Sequence, residues 1–454
     1  MDATDRYIDE HLQAFRSDFD HLISIPSIST DPSHEGDVRR AAEWVAARME
    51  RAGLEAAVVE TEGHPLVMGR HEAGPDAPTL LVYAHYDVQP ADPLDEWTSP
   101  PFQATEVGDR LVGRGTADDK AQVILQIAAA EAALATGGLP VNLILLFEGE
   151  EEIGSAGLSS FLRAGGSGVE ADHVIIADSM MFAPGRPSLL FGMRGVSYME
   201  IEVRSSAHDL HSGQYGGAVP NPAHVLSGII ASFHDERGRV AVEGFYDEVR
   251  SVSDELRREW AALGFDERAY QASAGGAALV GEEGYSTPER LWIRPCLDVN
   301  GFLSGYTGPG KKTVLPARAM AKVSCRLVPA QDPDTIVELV RAHVLAQAPP
   351  GVEVQVHKLQ ADPPWHGDPT GPLFTAAGAA LEAVFGAAPV RVAGGGTLPI
   401  ARTFSEVLTS SVAVMGMALP GANMHAPNEW FPAAHLHLGA KAVVRLYREL
   451  AASG

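Results

Sequence analysis

Three runs of uninterrupted apolar residues, TLLVYA (79–84), VNLILLF (141–147) and HVIIA (173–177), constrain the fold of this chain more than any other feature. A strand with one wet face alternates polar and apolar residues, so a run that is apolar at consecutive positions has to be covered on both faces. Between the runs lie segments of helical periodicity such as DKAQVILQIAAAEAALA (119–135). The alternation predicts an α/β layer with a mixed, mainly parallel sheet flanked by helices. Ile8, Leu12, Phe15, Phe19 and Leu22 recur at helical spacing and predict an amphipathic opening helix, with a second over residues 38–52.

The texture changes after the Pro/Gly-rich stretch APGRPSLLFGMRG (183–195). From there the strand-like segments YMEIEVRSS and MAKVSCRLV alternate, as in a sheet with one solvated face. Helical patterns fall near 222–233 and 333–346, with an acidic, helix-rich insertion over 244–294, before α/β texture returns past ADPPWHGDPTGP (361–372). At 454 residues the chain is too long for one ordinary core. We expect a discontinuous α/β domain over 1–195 and 363–454, with an α+β domain inserted at 196–362.

The formal charge is −25, from 34 Lys+Arg against 59 Asp+Glu, which argues against nucleic acid or an anionic membrane as a partner and agrees with cation binding. Cys296 and Cys325 are the only cysteines, too few for a disulfide scaffold. The opening MDATDRYIDEHLQAF has neither a basic leader nor an apolar stretch. No run approaches the roughly 18 apolar residues of a bilayer span, so a cytoplasmic protein is the expectation.

In open α/β sheets ligands gather beyond the carboxyl ends of the strands. Here TLLVYA is followed by His85-Tyr86-Asp87, VNLILLF by Glu148, Glu150, Glu151 and Glu152, HVIIA by Asp178, and the strand-like SSVAVMG (410–416) by a loop to His425. GRGTADDK (113–120) places Asp118 and Asp119 where the long helix begins. Taken singly, each has an ordinary reading: a helix cap, a core histidine, a turn aspartate, a solvated acidic run. Together, two histidines and several carboxylates at one sheet edge form the mixed donor set of a first-row metal site. Residues i and i+2 of a strand share a face, so Asp87 is placed to hydrogen-bond the His85 imidazole and fix its tautomer. Two cations would also let so many acids coexist.

The segments HYDVQP, GRGTADDK, EGEEEIGS, Asp178 and NMHAPNE (423–429) resemble, in order and spacing, the dinuclear-metal exopeptidases that include carnosinases, aminoacylases and glutamate carboxypeptidases. The likeness is strongest to carnosinase-type metallodipeptidases, and DLHSGQYGG, KKTVLP and CRLVP resemble segments of their lid domain. The resemblance implies that Asp118 bridges two divalent metal ions, with His85 and Asp178 completing one site and Glu152 and His425 the other. Zinc is the first expectation, with manganese and cobalt equally suited to these donors. The resemblance further implies a small-peptide substrate, hydrolysed by a metal-activated water with Glu151 as general base and Asp87 supporting His85. It makes the insert a lid and dimerisation domain of a homodimer, in which His211 stabilises the oxyanion and Thr313 and Arg326 hold the substrate carboxylate.

One departure stands out: those relatives carry Arg-Glu-Gly-Gly-Ser-Ile-Pro where this chain has Ala393-Gly394-Gly395-Gly396-Thr397-Leu398-Pro399. Thr397 can supply the serine hydroxyl, while the adjacent arginine and glutamate are absent. GYTGPGKKT (305–313) brushes against a phosphate-binding loop but has Lys312 at the Ser/Thr position and no helix to follow. An N-acyl or N-carbamoyl amino acid amidohydrolase on the same metal site is the nearer rival, and a non-catalytic metal- or peptide-binding protein the more distant one. Within the acidic cluster, Glu148 is expected to brace its loop, and Glu150 to tolerate alanine best.

Overall fold

The computed structural model describes residues 2–166 and 168–453. The chain divides into two compact units, one of residues 1–191, 367–392 and 400–454, the other of residues 192–366 and 393–399.

The first unit is built on the apolar runs. Its sheet runs in the order Glu55–Val59, Leu66–His71, Asn142–Glu148, Thr79–His85, His173–Ile176, Val412–Val414 and Ser188–Met193. The four strands from Asn142–Glu148 to Val412–Val414 are mutually parallel, and antiparallel pairs lie at both margins. Leu80 to Ala84 and Leu143 to Phe147 are buried at every position, which a period-two strand achieves only when both faces are covered. Helices Ala3–Ile23, Lys120–Thr136, Pro372–Phe385 and His435–Ser453 pack on one another, and Lys120–Thr136 also touches the strand Thr79–His85. In Ala3–Ile23 the apolar stripe of Ile8, Phe15, Phe19 and Leu22 is buried, each side chain contributing about 1.5–3 kcal/mol. Lys120 ties this layer to the opening helix: its buried ammonium donates to the carbonyls of Leu22 at 3.0 Å and Ile25 at 2.7 Å.

The second unit holds an antiparallel sheet in the order Cys296–Ser304, Arg318–Leu327, Gly195–Arg204, Glu353–Asp362. Here burial alternates as the sequence does. Met199, Ile201, Val203, Ala321 and Val323 pack with Leu226 and Ile229 of helix Pro222–Ala231 and with Ile336, Val340 and Val344 of helix Pro333–Ala346. On the other face Lys322 meets Glu200 at 2.8 Å. The acidic insertion forms three short helices, Asp254–Ala262, Glu267–Ser273 and Thr287–Trp292. The segment after GYTGPGKKT continues as the strand Val314–Leu315. Among the described residues no helix is long and apolar enough to cross a membrane.

Candidate metal centre

Parallel strands end on the same side, and three of them deliver acidic or imidazole groups there. His85 closes the strand Thr79–His85, Glu148 closes Asn142–Glu148, and Asp178 lies just past His173–Ile176. Glu151 and Glu152 stand in the single turn Glu151–Ile153. Asp118 and Asp119 precede the helix Lys120–Thr136, joined by a cis bond. Asp119 occupies the N-cap position without capping; its Oδ2 accepts from the His85 backbone N–H at 3.3 Å.

The His85 imidazole is fully buried. Its Nδ1 lies 3.1 Å from the Asp87 carbonyl oxygen and 3.3 Å from Asp87 Oδ1, both acceptors, so Nδ1 carries the proton. Its Nε2 then faces Asp118 Oδ1 at 2.9 Å, with Asp178 Oδ2 at 4.0 Å. An imidazole lone pair and a carboxylate oxygen at that separation repel unless a proton or a cation lies between them. The other Asp118 oxygen, Oδ2, lies 2.9 Å from His425 Nε2, which is 3.2 Å from Glu152 Oε2. One carboxylate thus stands between two imidazoles. The donor atoms of His85, Asp118 and Asp178 lie within 4.8 Å of one another, as do those of Asp118, Glu152 and His425.

The electrostatics of both sets suit cations. Burial works against ionisation of Asp118, but the His425 and His85 imidazoles that face it, when protonated, outweigh burial and hold the carboxyl below its ordinary range. Asp178 is pushed up to about 7 by burial and by the Asp118 charge. Glu151 is pushed up to about 9, by burial first and then by Asp178, Glu152 and Asp118 against the opposing His85. Positive charge in the two sets would offset the three carboxylates that add to burial in holding Glu151 protonated.

Asp87 has more to do than the strand period indicates. Its carboxylate accepts from the backbone N–H of Glu151 at 3.2 Å, from that of Glu152 at 3.1 Å and from Ser29 Oγ at 2.6 Å. The same group that faces His85 therefore fixes the turn bearing Glu151 and Glu152. Gln89 Nε2 donates to Glu152 Oε2 at 2.7 Å. Ser29 carries no signal in the sequence, because the bridge between Ile28 and Val88 and the bond from Ser27 Oγ to the Tyr86 carbonyl, both long-range, bring it there.

A second organising carboxylate, Glu429, ends NMHAPNE. Fully buried, it accepts from Arg114 Nη1 at 2.7 Å and from the backbone N–H groups of Gly115, Ala117 and Asp118 at 2.9, 2.8 and 3.0 Å. It moulds the loop that presents Asp118. Glu148 braces its own turn, accepting from Tyr83 Oη at 2.5 Å and Ser155 Oγ at 2.8 Å.

Glu150 corrects the expectation of tolerance. It is 3% exposed, and its carboxylate accepts from the backbone N–H of His64 at 2.9 Å and from that of Gly157. A Cβ at Gly63 or Gly157 would lie 1.8 or 2.7 Å from its oxygens, so both glycines make room for it. Glu150 is a buried tether between two loops, which a charge run read residue by residue does not reveal.

In the second unit, Arg326 of strand Arg318–Leu327 donates from Nη1 to Thr397 Oγ1 at 3.0 Å. His211 is exposed and caps the short helix Ser212–Tyr215, its Nδ1 accepting from Gly213 N–H at 3.1 Å. Thr313 lies on the adjoining segment, its carbonyl accepting from Ser212 N–H at 3.1 Å. The structure thus pairs Arg326 with Thr397, and His211 with the Thr313 segment.

The family profile for peptidase family M20/M25/M40 matches residues 81–449. The chain is 29% identical to the Cys-Gly metallodipeptidase dug1 of Schizosaccharomyces pombe, over 99% of this chain and 98% of that one. It is 32% identical to the cysteinylglycine-S-conjugate dipeptidase of Corynebacterium striatum, over 90% and 89% of the two chains. The crystal structure of human carnosine dipeptidase 1 matches with a TM-score of 0.80 at 29% identity, covering 99% of this chain and 98% of that one. A profile match over most of the chain, with likeness of sequence and fold from end to end, leaves one conclusion: the chain belongs to peptidase family M20/M25/M40.

Proposed function

We propose that this protein hydrolyses the peptide bond of dipeptides or short peptides, with His85, Asp118 and Asp178 holding one divalent metal ion and Asp118, Glu152 and His425 a second. The observation that carries the reading is the Asp118 carboxylate, whose two oxygens each face one imidazole at 2.9 Å. Zinc is the first candidate, manganese or cobalt the alternatives, and such ions would polarise the scissile carbonyl and acidify the attacking water.

The chain's own groups move the proton. Glu151 takes it from the water and passes it to the amine nitrogen as the C–N bond breaks, one carboxyl serving as base and then acid. Asp87 keeps Glu151 in place through the backbone bond at 3.2 Å and holds the His85 tautomer. Thr313 and Arg326 of the inserted domain, assigned to residues 196–362 of the sequence, bind the substrate carboxylate together with Thr397, which follows that domain in the chain. The Arg326 guanidinium suits that planar group. We further propose a homodimer formed through this domain, with His211 stabilising the oxyanion across it. Exposed Val299, Phe302 and Leu303 on the edge strand Cys296–Ser304 support such an interface. Both cysteines are free, in keeping with the reducing cytoplasm.

A matrix of divalent metals against dipeptides, run on purified protein with N-acyl and N-carbamoyl amino acids alongside, tests the reading. Chelation should abolish activity, added metal should restore it, and dipeptides should be the better substrates. Metal-independent turnover, or preference for the acylated amino acids, would overturn it.

A further inference from the structure

Arg194 is a buried cation without a carboxylate partner. It is 9% exposed, and no ion pair reaches it among the described residues. Its backbone N–H donates to Gly394 O at 3.2 Å and its Nε to Gly395 O at 3.0 Å, while Nη1 lies 3.8 Å from Cys296 Sγ. Nη2 has no hydrogen-bond partner and rests against Gly395, where a Cβ would come within 3.2 Å of it. The same segment carries Thr397, which Arg326 holds at 3.0 Å, and Cys296 is the strand partner of Arg326. Two guanidiniums therefore converge on residues 394–397. Burial holds Arg194 below the ordinary arginine range, with the Arg326 charge acting in the same direction and Cys296 and the Asp298 charge against it.

A charge this deeply buried is costly unless something compensates it. Residues 394–396 are all glycine, so the stretch abutting Arg194 offers it only carbonyls. Asp298 of the same strand accepts from Cys296 Sγ at 3.3 Å and makes no ion pair with Arg194 among the described residues. Arg194 Nη2 is therefore left free to meet an anion from outside the chain.

We infer that Arg194 and Arg326 form a paired anion site that reads a second carboxylate, so that the favoured substrates are dipeptides ending in aspartate or glutamate. The inference rests on the proposed dipeptidase reading, in which Arg326 takes the terminal carboxylate. Arg194 then takes the side-chain carboxylate, a match that an amide of the same shape cannot make.

The test compares Ala-Asp with Ala-Asn on the metal-loaded protein, and by calorimetric titration on the chelated protein, for wild type and Arg194→Met. The wild type should favour Ala-Asp by about tenfold or more in kcat/KM and in affinity, and the ratio should fall toward one in Arg194→Met. If that variant does not fold, Arg194→Lys, which keeps the charge and loses the fork, should give an intermediate ratio, and the wild-type ratio stands as a test by itself. A wild-type ratio near one with both peptides hydrolysed would overturn the inference and leave the dipeptidase reading intact. An undiminished ratio in the variant would overturn the role of Arg194. Selective binding of Ala-Asp with no turnover of any dipeptide would support the anion pair and sink the dipeptidase reading.

Discussion

Glu429 Oε1 accepts from the backbone N–H of Asp118 at 3.0 Å, while its Oε2 accepts from Arg114 at 2.7 Å. The side chain that closes the His425 loop thereby sets the backbone of the carboxylate between the two imidazoles. Removing it strands a guanidinium that is 1% exposed, together with three backbone donors. Glu429→Ala should cost about 3–5 kcal/mol in urea unfolding. A loss below about 1 kcal/mol would show that the loop holds itself.

Glu150→Ala should also destabilise, by about 1–3 kcal/mol, because it orphans the N–H groups of His64 and Gly157 inside the protein. The urea midpoint should fall at unchanged m-value. An unchanged midpoint would restore the view of Glu150 as a spare charge.

How far the sequence carries can be judged from these two acids. The consecutive apolar runs prescribe the buried strands, and the strands prescribe where His85, Glu148 and Asp178 emerge, because hydrophobic period and strand polarity are local properties. The i, i+2 relation likewise brings Asp87 to His85. The tethers were not legible: Glu150 reaches Gly157 and a loop 86 residues away in sequence, and Glu429 reaches Asp118 across 311 residues. Such bonds depend on how loops close, which no periodicity encodes.

Glu148 should leave a mark on the pH dependence of stability. Burial pushes its carboxyl up to about 8 from an ordinary 4.5. The folded protein holds this proton where the unfolded chain has released it, so the contribution is full below about 4.5 and is lost as pH rises through about 8. Between about pH 5 and pH 8 the chelated wild type should lose more stability than chelated Glu148→Gln. Parallel profiles would contradict the assignment.

Chelation should lower the melting temperature as well as the activity, since Asp118, Asp178 and Glu152 then face one another without a cation. Resupplying a divalent metal at about 100 times its Kd should return about 2.7 kcal/mol for each site it fills. A melting temperature indifferent to both treatments would mean that the two donor sets hold no ion.

The most direct test of the account is Glu151→Gln, assayed for dipeptide hydrolysis and for metal content on the same preparation. The substitution keeps the size of the side chain and removes its basicity. We predict that turnover falls by about 10²–10⁴-fold while two metal ions per chain are retained. Normal turnover with both metals bound would contradict the assignment of Glu151 as the base.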